Sequence, residues 1–96
     1  MGAAANRVRS EVARGVSDVE RSRTQLALYT RAILPQAQSI VTSSLASYRS
    51  GNDDLLSVLD NQATLFEYEA GYHRSLADFA KAVADLEQVV GAEVLR

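Results

Sequence analysis

The chain has 96 residues, 47% of them hydrophobic and 23% charged, with one proline, five glycines, no cysteine and a net charge of −2. This is the size of one small domain and the composition of an ordered, helix-rich chain, which excludes a disordered tail, a disulfide framework and a thiolate metal site. No apolar run approaches the ~18 residues that span a bilayer, and "MGAAANRVRS" lacks the apolar core of a secretory signal, so neither a membrane span nor a signal peptide is expected here.

In chain order, residues 1–5 read as a flexible expression start. Gly2 follows the methionine, but Asn6 stands where the acyl-transfer motif requires Ser or Thr. A first helix is expected over about 6–50. Its apolar rhythm runs through Val8, Val12, Gly15, Val19, Ser22, Leu26, Tyr29 and Ile33. It then resumes at Ala37, Ile40 or Val41, Ser44 or Leu45, and Tyr48, so the register slips by one residue near Pro35. A proline inside a helix removes one backbone hydrogen bond, here to the carbonyl of Arg31, and kinks the axis. Because the pattern continues on both sides, a bent, continuous helix is predicted. The competing arrangement is a break at "ILPQ".

The stretch "SGNDD" reads as a tight turn over 51–53. Gly51 suits the left-handed position that ends a helix, while Asn52, Asp53 and Asp54 offer an N-cap and negative charge to the next first turn. A second helix is expected over about 54–91, and each arm would be about 60 Å long at the usual helical rise.

On the second helix, apolar residues at 55, 58, 65, 72, 76, 79, 83, 86 and 90, with Gln62 and Glu69 in the two polar slots, make a heptad seam. A second seam runs one residue out of phase through Leu56, Leu59, Ala63, Phe66, Ala70, His73, Ala77, Ala80 and Ala84. The remaining row, which includes Ser57, Asp60, Glu67 and Gly71, is expected to face water. Two seams require two neighbours. The fold class predicted is therefore all-α: a long antiparallel helical hairpin, or coiled coil, that associates into a helical bundle or barrel. A dimer or larger is expected, since a lone hairpin leaves one seam in water.

Charge divides unevenly along the chain. Residues 1–51 hold seven Arg and three acids, or +4, whereas residues 52–96 hold three bases and nine acids, or −6. That asymmetry favours antiparallel pairing of a basic arm with an acidic one. A nucleic-acid face built on Arg7, Arg14 and Arg21 is not expected, because aromatic interleaving is missing and the chain is acidic overall.

Chemistry has few candidates. His73 with Glu69 one turn earlier offers two ligands, and Glu67 lies on a neighbouring face, but a bundle metal motif would need an acid where Ala70 stands. Neither a phosphate-binding glycine loop nor a nucleophile constellation is identifiable. No catalytic residue, metal or cofactor is expected, and the chain is not read as an enzyme.

"LPQA" at Leu34–Ala37, Tyr48-x-x-Gly51, "VLD" at Val58–Asp60 followed by a Gln and Thr-Leu, and the closing "ADLEQVVG" follow one another in an order that resembles a periplasmic helical hairpin of the TolC-like outer-membrane efflux proteins, over roughly Val8 to Gly91. Within that family the sequence looks more like the heavy-metal or solvent efflux branch than like TolC itself. The resemblance implies a trimeric parent channel in which such hairpins wall a periplasmic tunnel, with the hairpin turn as its inner tip. The barrel-strand segments are not among these residues.

The resemblance further implies that the tip, Ser50, Gly51, Asn52 and Asp53, docks the hairpin of a periplasmic adaptor in a tripartite pump. Tyr48 matches an aromatic that holds the entrance closed. Asp60 matches one acidic position that rings the entrance, whereas the other is Ser57 here, and Asp53 stands where some members carry a basic locking residue. The expected location is thus the periplasmic portion of an outer-membrane protein. The alternative function is a free-standing helical homo-oligomeric module with no transport role. For Asp60 a plain solvated position in the second turn of a helix remains the competing reading.

Overall fold

The structure, a computed structural model, describes residues 2–95. Every element is helical: α1 at Gly2–Leu28, a π-helical turn at Tyr29–Ile33, α2 at Leu34–Arg49 and α3 at Leu55–Val94. The fold class is the all-α helical hairpin read from the sequence. Helix begins earlier than expected, so residues 2–5 are helical, and α3 continues past Gly91 to Val94.

The first arm stays helical through Pro35. Immediately before it the helix widens, and the Leu34 N–H donates to the Tyr29 carbonyl five residues back. A π-turn inserts one extra residue into the helical path, so apolar rows on either side of it differ by one position. This is the physical form of the register slip. Proline supplies no N–H and its ring crowds the carbonyl four residues earlier. The wider turn lies over that carbonyl's own residue, Arg31.

The chain forms two compact units, one made of the chain up to Leu26 with Ser75 onward, the other of Ala27–Arg74. In the second unit the buried positions are Ala37, Ser44, Val58 and Gly71. Three of the four, Ala37, Ser44 and Gly71, are small residues, which let two helices approach closely. Buried Ser44 keeps its hydroxyl satisfied by donating to the Val41 carbonyl at 3.1 Å. In the first unit Ser75 is buried and Leu86 of α3 lies against Gly15 of α1.

The inward face of α3 is turned relative to the predicted seam. Val58, Leu65 and Tyr72 of one unit, and Phe79 and Leu86 of the other, face inward as expected. Their companions are Asn61, Ser75, Ala82 and Val89, while Leu55, Gln62, Leu76 and Val90 of the predicted seam are exposed. Glu69 and Val83 of the predicted seam stay half-buried, whereas at Asn61/Gln62 and Ser75/Leu76 the hydrophobic pattern selected the bulkier of two neighbours. Close helix packing selects the smaller one, since backbone approach and interdigitation decide how densely a seam fills. Gly71 is corrected likewise: it was read as water-facing and is buried, lying beneath the ring of Tyr29. The second seam is where the pattern placed it, with Leu56, Leu59, Ala63, Phe66 and Ala70 all exposed.

Candidate functional site

The turn between α2 and α3 is closed entirely by local hydrogen bonds. Gly51 takes the left-handed conformation, with φ +81°. Its N–H donates to the Tyr48 carbonyl at 3.1 Å, and the Asn52 N–H donates to the Ser47 carbonyl at 2.8 Å. Together these satisfy the carbonyls orphaned by the end of α2, the pairing that defines a Schellman cap. The Ser50 hydroxyl donates to Ser47 O at 3.1 Å, and the Asn52 side-chain amide donates to the Ser50 hydroxyl at 3.1 Å.

On the far side of the turn, the Asp53 carboxylate accepts the Asp54 N–H at 2.9 Å and the Asp54 carboxylate accepts the Ser57 N–H at 2.9 Å. Of the three residues able to cap α3, Asp54 does so, with Ser57 as the third residue of the helix. Hydrogen bonds from the Ser57 N–H and then from its hydroxyl hold the Asp54 carboxyl below its ordinary value of 3.8. The four predicted docking residues therefore lie together: Ser50, Gly51 and Asn52 exposed, Asp53 half-buried. A turn pinned at both ends presents the same surface to any partner without a large ordering cost.

The three entrance candidates are not joined. Ser57 is half-buried and committed to the α3 cap, Asp60 is exposed one turn further along the same helix, and Tyr48 is exposed near the end of α2. Among the described residues no hydrogen bond, ion pair or ring contact links Tyr48, Ser57 and Asp60. The Asp60 carbonyl also accepts the Thr64 hydroxyl at 3.1 Å.

His73 stacks edge-on with Tyr72, ring centres 5.3 Å apart. No group of three or more His, Cys, Asp or Glu among the described residues is placed to hold a metal ion. Nor is any described helix long and apolar enough to cross a membrane. A shallow groove of about 340 Å³ runs beside the π-turn, lined by Ile33, Ala37 and Ile40 of the first arm and Asn61, Thr64 and Tyr68 of α3. Its polar groups come from Gln36, Asn61, Thr64 and Tyr68.

Sequence reasoning missed the Tyr29 and Gly71 pair. The signal was present as a glycine interrupting a polar row and a tyrosine one step before the register slip. Compared with known proteins, no family model, curated protein or solved structure matches the chain significantly.

Proposed function

We propose that this chain is a periplasmic α-hairpin of a TolC-like outer-membrane efflux channel, a piece of tunnel wall whose turn docks the hairpin of a periplasmic adaptor. The observation that carries this reading is the tip itself. Ser50, Gly51 and Asn52 are exposed on a turn whose backbone is pinned by a Schellman cap on one side and the Asp54 cap on the other. A turn pinned in this way presents one fixed surface, which a docking tip requires. The order of "LPQA", Tyr48-x-x-Gly51, "VLD" and "ADLEQVVG" supports the same family.

In this reading the hairpin performs no chemistry. It forms a passive wall, Tyr48, Ser57 and Asp60 lie toward the entrance, and the energy for transport comes from an inner-membrane partner. The parent channel is a trimer and the location periplasmic. A fluorophore on Asn52→Cys, in a chain fused to a trimerising coil to gain avidity, is titrated with adaptor hairpins. Saturable binding that weakens about tenfold on Asp53→Lys is expected, because a charge reversal at a docking rim alters complementarity. Absence of binding to every adaptor class, even from the trimer, sinks the proposal.

A further inference from the structure

The inward row of the first arm carries an offset. Within the unit Ala27–Arg74, Tyr29 lies over Gly71, and beyond the π-turn the row continues through buried Ala37, half-buried Val41 and buried Ser44. A plain helix leaving Tyr29 turns about 100° per residue, which would bring Gln36, Ile40 and Ser43 inward instead. All three are exposed, Ile40 at 48%. The wide turn thus decides between two adjacent rows of α2.

The hydrogen bond across the turn shows what the offset consists of. The Leu34 N–H reaches the Tyr29 carbonyl, five residues back, where a plain helix would bond Thr30. With one residue fewer between them, the same donor and acceptor are four apart, so the identical bond closes an ordinary helical turn. The packing at either end does not use the extra residue. Tyr29 fills the space that Gly71 leaves, and Ala37 is buried at 5% exposure, while Ala32 between them is exposed.

We propose that the π-turn is a register insert: one residue of Tyr29–Ile33 is surplus to the helix and sets the rotational phase of α2 against α3. Pro35 pins it on one side, because a plain helix there would press the proline ring against the carbonyl four residues earlier. Tyr29 pins it on the other, since moving the wide turn toward α1 would rotate the ring off Gly71. The phase has a consequence at the far end of the helix. α2 runs directly into Ser50 and Gly51, so its rotation also fixes how the exposed turn is presented. The inference does not rest on adaptor docking, and either can fail alone.

The chain has no cysteine, so single cysteines read the phase through their rate of reaction with a maleimide. Ala37→Cys and Ser44→Cys are expected to react at least about tenfold more slowly than Gln36→Cys and Ser43→Cys, because a buried thiol must wait for local opening. Deletion of Ala32 should leave that pattern intact. Deletion of Ser39, outside the turn, should instead rotate the residues after it by one position and make Ser44→Cys fast. Since the first deletion leaves Pro35 inside a plain helix, which is itself destabilising, the pattern is also read with Pro35→Ala added. That chain has no obstacle to an uninterrupted helix, and circular dichroism should show it folded. Exchange of the two rows after deletion of Ala32, with Gln36→Cys protected and Ala37→Cys reactive, overturns the proposal, as does loss of folding in the chain that also carries Pro35→Ala. So does equal reactivity of the two rows in the undeleted chain, or protection of Ser44→Cys that survives deletion of Ser39, either of which would mean that α2 has no fixed phase.

Discussion

Gly51 and Gly71 belong to the same unit and are glycines for opposite reasons. At Gly51 the space is open, with nothing within 4 Å of where a side-chain carbon would sit, but φ is +81°. At Gly71 the backbone is ordinary helix and the space is taken. A side-chain carbon there would lie 2.5 Å from the Tyr29 hydroxyl oxygen and 3.0 Å from the ring carbon that bears it. The first glycine is demanded by a dihedral and the second by a neighbour. The turn tolerates bulk but not a rigid backbone preference, whereas the seam behaves the other way.

The largest effect that can break this comparison is at the seam. Gly71→Val forces Tyr29 to move out of the space it fills beside the π-turn, and overpacking of this kind costs roughly 1–3 kcal/mol. Gly71→Ala should cost less, because the gain in helix propensity of about 1 kcal/mol offsets part of the collision. Chemical denaturation of the two variants and of Gly71→Val combined with Tyr29→Ala measures the coupling. If the Tyr29 hydroxyl is the obstacle, the double variant recovers much of what Gly71→Val loses. Equal losses with and without Tyr29 would place the collision elsewhere.

At the turn the expected loss is smaller and its chemistry is reversed. Gly51→Ala should destabilise by about 1 kcal/mol, the cost of holding an L side chain in the left-handed region. Gly51→Asn should cost less, since asparagine visits that region readily. Size plays no part, so a denaturation series in which the loss grew with side-chain volume instead of with left-handed reluctance would show that the open space at the turn is filled in solution.

What the sequence could reveal follows the same division. The hairpin, the turn and the outer seam were legible because each is local or periodic: Gly51 followed by Asn52, Asp53 and Asp54 is turn chemistry, and Leu56, Leu59 and Phe66 recur at helical spacing. The slip near Pro35 was legible as a number, one residue. Its form as a π-turn was not, because a one-residue shift in pattern does not say which hydrogen bonds absorb it. The rotation of α3 was hidden for another reason. Leu76 is more apolar than Ser75, yet Ser75 is the buried one, and which of two adjacent residues turns inward depends on how closely the facing arm can approach. Of the candidate site, the cluster at Ser50–Asp53 is local and was readable. Tyr48, Ser57 and Asp60 share no hydrogen bond, ion pair or ring contact among the described residues, so no local pattern joins them.

The smallest effect sharpens the turn side of the comparison by separating charge from geometry. Asp54 is lowered from 3.8 because the Ser57 N–H and hydroxyl bind its carboxylate in the folded state. A carboxyl whose folded pKa lies below its unfolded one contributes stability that is fully present above the unfolded value and is lost as pH falls through the folded one. The gap in melting temperature between wild type and Asp54→Ala should therefore be constant well above the unfolded value of 3.8 and narrow as pH falls below it. Asp54→Asn retains an acceptor for the Ser57 N–H but cannot titrate, so it should keep most of the cap at every pH. A gap between wild type and Asp54→Ala that is unchanged across this range would mean that the cap is held by the shape of the turn, leaving the Schellman bonds around Gly51 as its support.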